Sequence, residues 1–308
     1  MEQEKNELQQ KWSAAIGAPE NYQFEEKVEL IKKYDFGDFE AELYHQNNGP
    51  GTFQRVLLAL PKNRVEPLPA VAVPFYFPEA MLGFELETRE KLPKYAGIEM
   101  LVHLVKRGYI CATADAYHLT LIPSSLERGN TRRWHNAGAE LARTQPDWSG
   151  VGKLVEDTRL MVDLLCNDPR IDAERVGIAG HSLGGKMAYY TGCLDKRIKV
   201  ILASDFGLNW DQTNYQDIWY WGEKVKKMQE NGLENWQLLG FTGGKPLCLL
   251  AGECDDLSSY HAMLKASGYP LNEYRRVIYN HGTGHRPPAD VLEKGYDFLD
   301  FWLKNKRK

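Results

Sequence analysis

The stretch Arg175-Val-Gly-Ile-Ala-Gly-His-Ser-Leu-Gly-Gly-Lys186 constrains this chain more than any other. Val176 to Ala179 is an apolar run that reads as a buried strand, and Lys186-Met-Ala-Tyr-Tyr190 reads as a helix. Between them lies Gly180-His-Ser-Leu-Gly184, a Gly-x-Ser-x-Gly turn in the strand-to-helix context of a nucleophile elbow. So tight a turn strains its serine and leaves no room for side chains two residues to either side. The serine Oγ is lifted above the sheet edge, where the next helix aims unpaired N–H groups and the positive end of its dipole.

The rest of the chain supplies a sheet for this elbow. Residues 1–35 read as a polar, helical N-terminal arm, and 36–308 as one domain. Phe39 to Tyr44 and Phe53 to Leu60 alternate around Asn47-Asn-Gly-Pro-Gly51, which predicts an antiparallel hairpin. Ala70-Val-Ala-Val-Pro-Phe-Tyr-Phe77 reads as a strand buried on both faces, ending near Pro74. Apolar spacing predicts helices over 95–107, 151–165, 257–267 and 291–303, and strands over 109–114, 198–203, 246–251 and 274–279. Strand and helix alternate from residue 70 onward. The fold class is therefore α/β, a mostly parallel sheet with helices on both faces and the hairpin at one edge. Residues 116–149 show little periodicity and read as a long loop that wraps a site. Residues 205–243 carry Trp210, Tyr215, Trp219, Tyr220, Trp221 and Trp236 and read as an insertion.

Composition removes several function classes. The net charge is −4 with no long basic run before the last few residues, so nucleic-acid binding has no electrostatic footprint. The N-terminus lacks an apolar signal region, and no stretch is long and apolar enough to span a membrane. The five cysteines are scattered and lie mostly within apolar runs, which suits free thiols in a reducing, cytoplasmic setting better than disulfides. No His/Asp cluster has metal-ligand spacing, and no cofactor motif is seen, so neither a metal nor a cofactor is expected.

A serine hydroxyl needs a base to take its proton, and the base needs an anion to fix its tautomer. Asp255 and His285 follow later predicted strands, and ligands of such sheets gather at strand carboxyl ends. Asp256 and Glu253 compete for the acid, and His281 for the base. His181, beside the serine, reads as a packing or locally bonded residue.

In its order Ser182, Asp255, His285, and in the segments 168–185, Leu194-Asp-Lys-Arg-Ile-Lys199, Ala251-Gly-Glu-Cys-Asp255 and Gly284-His-Arg-Pro-Pro288, the chain resembles the α/β-hydrolase superfamily over residues 36–308. The closest resemblance is to its dienelactone-hydrolase and acetyl-xylan-esterase-like branch. The resemblance implies Ser182 as nucleophile, His285 as base and Asp255, three residues after the strand-ending glycine, as acid. It also implies an oxyanion hole of the Leu183 N–H and a donor from the loop after the third strand. No His-Gly follows that strand here, so the second donor is the N–H of Tyr76 or Phe77, or the Tyr76 hydroxyl. Lys186 resembles the elbow lysine of glucuronoyl esterases, although Leu183 stands where those enzymes usually carry Arg. The insertion at 205–243 falls where the superfamily places caps. Trp134 with Arg132 and Arg133, and Trp210 and Trp219, are candidates to line the cleft. The function implied is a serine esterase acting on a small-molecule or carbohydrate ester. A peptidase or amidase, a glucuronoyl-type esterase and a non-catalytic binding protein are the alternatives.

Overall fold

Apolar runs too short for helices and too continuous for a half-exposed sheet become the central strands of this chain. The computed structural model describes residues 2–62, 64–65, 67–256, 258–259, 261–262 and 275–305. Helix α1 (Glu2–Ile16) is followed by strands β1 (Val28–Asp35), β2 (Phe39–Gly49), β3 (Thr52–Pro61) and β4 (Leu68–Ala72). After the short helix α2 (Pro78–Leu82) come α3 (Met100–Lys106), β5 (Ile110–Ala114), α4 (Tyr117–Thr120), α5 (Thr131–Thr144) and α6 (Gly150–Asn167). Strand β6 (Ile171–His181), α7 (Leu183–Leu194) and β7 (Ile198–Ser204) form the centre. Helix α8 (Lys224–Glu230), β8 (Leu247–Ala251), β9 (Arg276–Asn280) and a closing helix, Ala289–Leu303, complete the order.

The nine strands form one sheet in the order β1-β2-β3-β5-β4-β6-β7-β8-β9. The strands from β5 through β4 to β9 pair parallel, while β1, β2 and β3 pair antiparallel at one edge. Both faces are buried. Along β3, Val56, Leu58 and Leu60 pack on one side with α6, α7 and the aromatic insertion, and Leu57 and Ala59 pack on the other with α2, α3 and the closing helix. That double burial is why the strand reads as continuous apolar sequence.

The expected hairpin is present as β2 and β3, in register from Phe39 opposite Pro61 to Gly49 opposite Thr52. Two expectations differ. Residues 28–35 are an edge strand rather than part of a helical arm, because β2 offers an open ladder and Val28, Leu30 and Ile31 favour the extended chain. Helix α1 packs on the domain, with Trp12 1% exposed. Residues 116–149 hold α4 and α5, whose irregular polar sequence hides a helix started by the Asn130 side chain accepting from the Arg132 N–H. Within the helix expected over 257–267, residues 258, 259, 261 and 262 are helical, and the others lie outside the described residues. Residue 274, expected in the last strand, also lies outside them. No helix among the described residues is long and apolar enough to cross a membrane.

Candidate active site

The elbow is built by backbone contacts that admit only glycine. A Cβ at Gly180 would lie 2.1 Å from the Gly184 carbonyl oxygen, and one at Gly184 would lie 2.2 Å from that of Pro74. Ser182 between them takes φ 55° and ψ −117°, a left-handed conformation costly for a residue with a side chain. Its N–H donates to the Ser204 carbonyl at 2.9 Å, which fastens the turn to the end of β7.

His285 lies in the loop between β9 and the closing helix, and its Nε2 is 2.8 Å from Ser182 Oγ. For Ser182 to donate, Nε2 must carry the lone pair and Nδ1 the proton. Burial holds the His285 pKa below the usual imidazole range, opposed first by the charge of Asp205 and then by that of Glu253. The ring is therefore neutral, and able to accept a proton, at neutral pH. Around Nδ1 lie Cys254 Sγ at 3.6 Å and Glu253 Oε1 at 3.8 Å.

Asp255 does not meet His285 among the described contacts, which corrects the expectation that it orients the base. Its carboxylate instead accepts from the N–H groups of Leu208 at 2.9 Å and Gly207 at 3.4 Å, and from Ser259 Oγ at 3.3 Å. A buried carboxylate needs such donors, and this short side chain spends both oxygens on the backbone after β7. Burial still pushes its pKa up to about 6. Asp256 accepts from the Ser258 N–H and from Gln212 and faces solvent, away from the base.

The buried anion beside the histidines is Asp205, which the sequence reading missed. It directly follows β7, takes φ 49° and is wholly buried. Ser204 Oγ donates to it at 2.6 Å, and His281 Nε2 lies 3.1 Å from Oδ1. His281 Nδ1 accepts from the Thr283 N–H at 3.3 Å, so Nε2 carries the hydrogen and donates to Asp205. His181 Nδ1 is 3.7 Å from the same carboxylate and 3.3 Å from Ser204 Oγ, and burial keeps its pKa well below the usual range. Gly252, at the end of β8, makes room for this group. A Cβ there would fall 1.8 Å from Asp205 Oδ1 and 2.7 Å from His281 Cε1. The signal was available, because Asp205 follows an apolar strand just as Asp255 does.

Two segments meet at the elbow, the first turn of α7 and the loop after β4. Leu183 is the first residue of α7, so its N–H has no acceptor within the helix. The Pro74–Tyr76 segment approaches from the other side, as the Pro74–Gly184 contact shows. That segment is braced by a buried ion network. Arg55 pairs with Asp115 at 2.8 Å and Glu79 at 2.7 Å, and Arg128 reaches Glu79 at 2.8 Å and lies over the Phe77 ring.

Tyr76 stacks on Trp134 at 4.5 Å, and Trp134 meets Trp219 edge-on at 6.0 Å. These three rings form one aromatic wall. Trp210 is not part of it, contrary to its expected place in the cleft. Its Nε1 donates to the Leu233 carbonyl at 2.6 Å and its ring packs on Trp12, Tyr215 and Trp221. Lys186, one turn into α7, is 3% exposed. Its Nζ donates to Thr213 Oγ1 at 3.1 Å and lies 5.1 Å and 5.0 Å from the Tyr215 and Tyr220 ring centres, and burial lowers its pKa to about 8.

With this geometry in hand, residues 128–306 match the family model described as the prolyl oligopeptidase family. The chain belongs to that family. Its mostly parallel sheet with helices on both faces is the fold of an α/β-hydrolase. A search of curated protein sequences found no match. Among solved structures, the chain is similar to a glucuronoyl esterase from Solibacter usitatus at 16% identity and TM-score 0.70, with 96% of this chain and 91% of that one covered. A CE15 glucuronoyl esterase from Teredinibacter turnerae T7901 gives 17% identity and TM-score 0.70, covering 97% and 84%. Acetyl xylan esterase 1 from Thermoanaerobacterium sp. JW/SL YS485 gives 14% identity and TM-score 0.61, covering 95% and 92%. At these identities the likeness is one of fold.

Proposed function

We propose that this family member is a serine carboxylic-ester hydrolase that works through an acyl-enzyme on small acyl esters of carbohydrates. The observation that carries the reading is the 2.8 Å approach of His285 Nε2 to Ser182 Oγ at a strained elbow. His285 takes the Ser182 proton as Oγ attacks the ester carbonyl. The oxyanion forms against the Leu183 N–H, with Tyr76 or its loop as second donor. His285 then protonates the leaving alcohol, and later takes a proton from the water that releases the acid. Asp205 supplies the anion that stabilises the charged His285, in place of Asp255. It is buried, so water screens its field less than that of exposed Glu253.

The carbohydrate part rests on the names of the structural neighbours and on the wall of Tyr76, Trp134 and Trp219, whose faces suit sugar rings. Lys186 supports a second reading, an ester of an acidic sugar, because a buried ammonium one turn from the nucleophile favours a carboxylate. The family's name raises peptide cleavage as the third. The five free thiols support the reading of a reducing, cytoplasmic setting.

Replacing Ser182 with Ala should lower p-nitrophenyl acetate turnover by about 10⁴-fold or more, since loss of a triad serine removes nearly all covalent catalysis. Retained turnover would refute the nucleophile. A panel of acetyl, butyryl, feruloyl and glucuronoyl esters, acetylated sugars and short peptides should show cleavage of acetyl esters and intact peptides. Preference for the glucuronoyl ester would favour the Lys186 reading, and peptide cleavage without ester cleavage would overturn both.

A further inference from the structure

We propose that Glu253, Cys254 and His285 Nδ1 form a site for a zinc-class divalent cation whose occupancy switches the catalytic base off. The ligating atoms of these three residues all lie within 4.8 Å of one another. In a tetrahedral zinc site with Zn–S near 2.3 Å and Zn–N near 2.1 Å, sulfur and nitrogen stand about 3.6 Å apart. Cys254 Sγ and His285 Nδ1 are 3.6 Å apart. Glu253 Oε1 is 3.8 Å from the same nitrogen, and its exposed side chain is free to close the remaining gap.

The backbone holds the two loops in this relation. The Glu253 N–H donates to the Gly284 carbonyl, and the His281 N–H to that of Ala251, both at 2.9 Å. Two adjacent residues of one loop therefore face a histidine of the other, and water completes the coordination. Thiolate and imidazole together select zinc-class ions over magnesium or calcium.

The consequence follows from imidazole valence. A neutral ring has one lone pair and one N–H. A cation on Nδ1 takes the lone pair there, and the hydrogen moves to Nε2, the atom that faces Ser182 Oγ. Nε2 then cannot accept the serine proton. Cys254 binds as thiolate, so its S–H proton passes to solvent as the metal enters. The expectation of no metal ligands rested on sequence spacing, which does not show that residues 253 and 285 meet.

The inhibitory consequence rests on His285 as the base, whereas binding does not, and the test separates them. The full chain, freed of metal with a chelator, is titrated with Zn²⁺ by calorimetry, with Co²⁺ by absorption for a thiolate-to-cobalt band, and with each during ester hydrolysis. One cation per chain, a cobalt band and loss of activity over the same concentration range are expected, with recovery on chelation and no effect of Mg²⁺. Cys254→Ala should abolish the band and weaken Zn²⁺ about 100-fold. Glu253→Gln should weaken it about 10-fold, as even outer partners of a metal cost about 10- to 100-fold. Each variant is compared with and without metal. No band, or Cys254→Ala titrating like the parent, overturns the site. Binding without inhibition overturns the switch. An inactive metal-free chain removes the ester reading while the band and heat still decide the site.

Discussion

Two aspartates follow neighbouring parallel strands in this molecule and are held by opposite kinds of partner. Asp205 directly follows β7, and Asp255 lies a few residues after β8. Both are buried, and burial raises the pKa of both. Their partners differ. Asp205 faces a hydroxyl and two imidazoles, those of Ser204, His281 and His181. Asp255 faces the backbone N–H groups of 207 and 208 and a serine hydroxyl. An anion bonded to titratable side chains can tune proton transfer. An anion bonded to backbone fixes a loop, here the entrance to the aromatic insertion. Position after a strand is thus shared by both, and the bonding partners are what separate an anion poised beside histidines from one that holds a loop.

The sharpest way to break this comparison is Asp205→Asn. It keeps the shape and removes the charge that favours protonated His285. The expected loss in kcat/KM is about 10²- to 10⁴-fold, the upper figure being that for the triad aspartate of serine proteases. A pH profile adds a second measure. The acid limb of kcat/KM should have its midpoint below the ordinary imidazole value of about 6.5, because burial lowers the His285 pKa. Since Asp205 opposes that lowering, Asp205→Asn should move the limb to still lower pH. A limb that stays in place or moves up would remove Asp205 from the role.

How legible was this from sequence? The elbow was, because Gly180, Ser182 and Gly184 meet a local steric demand that any reader of the chain can state. The meeting of His285 with Ser182 was legible through the loop and its place after a strand. The anion beside the histidines was not, since Asp205 and Asp255 satisfy the same local rule, and only the bonding partners of each side chain separate them. Trp210 was misplaced for a related reason. Its stacking partner, Trp12, lies in a helix at the opposite end of the chain, and a contact of that separation leaves no trace in local periodicity. Residues 28–35 were misread because an edge strand is largely exposed, and exposure erases the apolar alternation that marks a half-buried strand.

The smallest expected effect falls on Asp255. If it only builds the loop, Asp255→Asn leaves an acceptor for the Leu208 N–H and changes kcat/KM by less than about tenfold, against about 10⁴-fold for a true triad acid. Stability gives the other half of the contrast. The folded-state pKa of Asp255 is raised from 3.8 to about 6, so protonation favours the fold. That contribution is full below about pH 4 and is lost as pH rises through about 6, at a cost approaching 3 kcal/mol. Asparagine has no such dependence. Thermal melts should therefore show the variant gaining on the parent by a few degrees between pH 4 and pH 7. A gap between the two that stays constant over that range would mean that Asp255 is not held in the raised state. A collapse of activity in Asp255→Asn with Asp205→Asn unharmed would exchange the roles of the two aspartates.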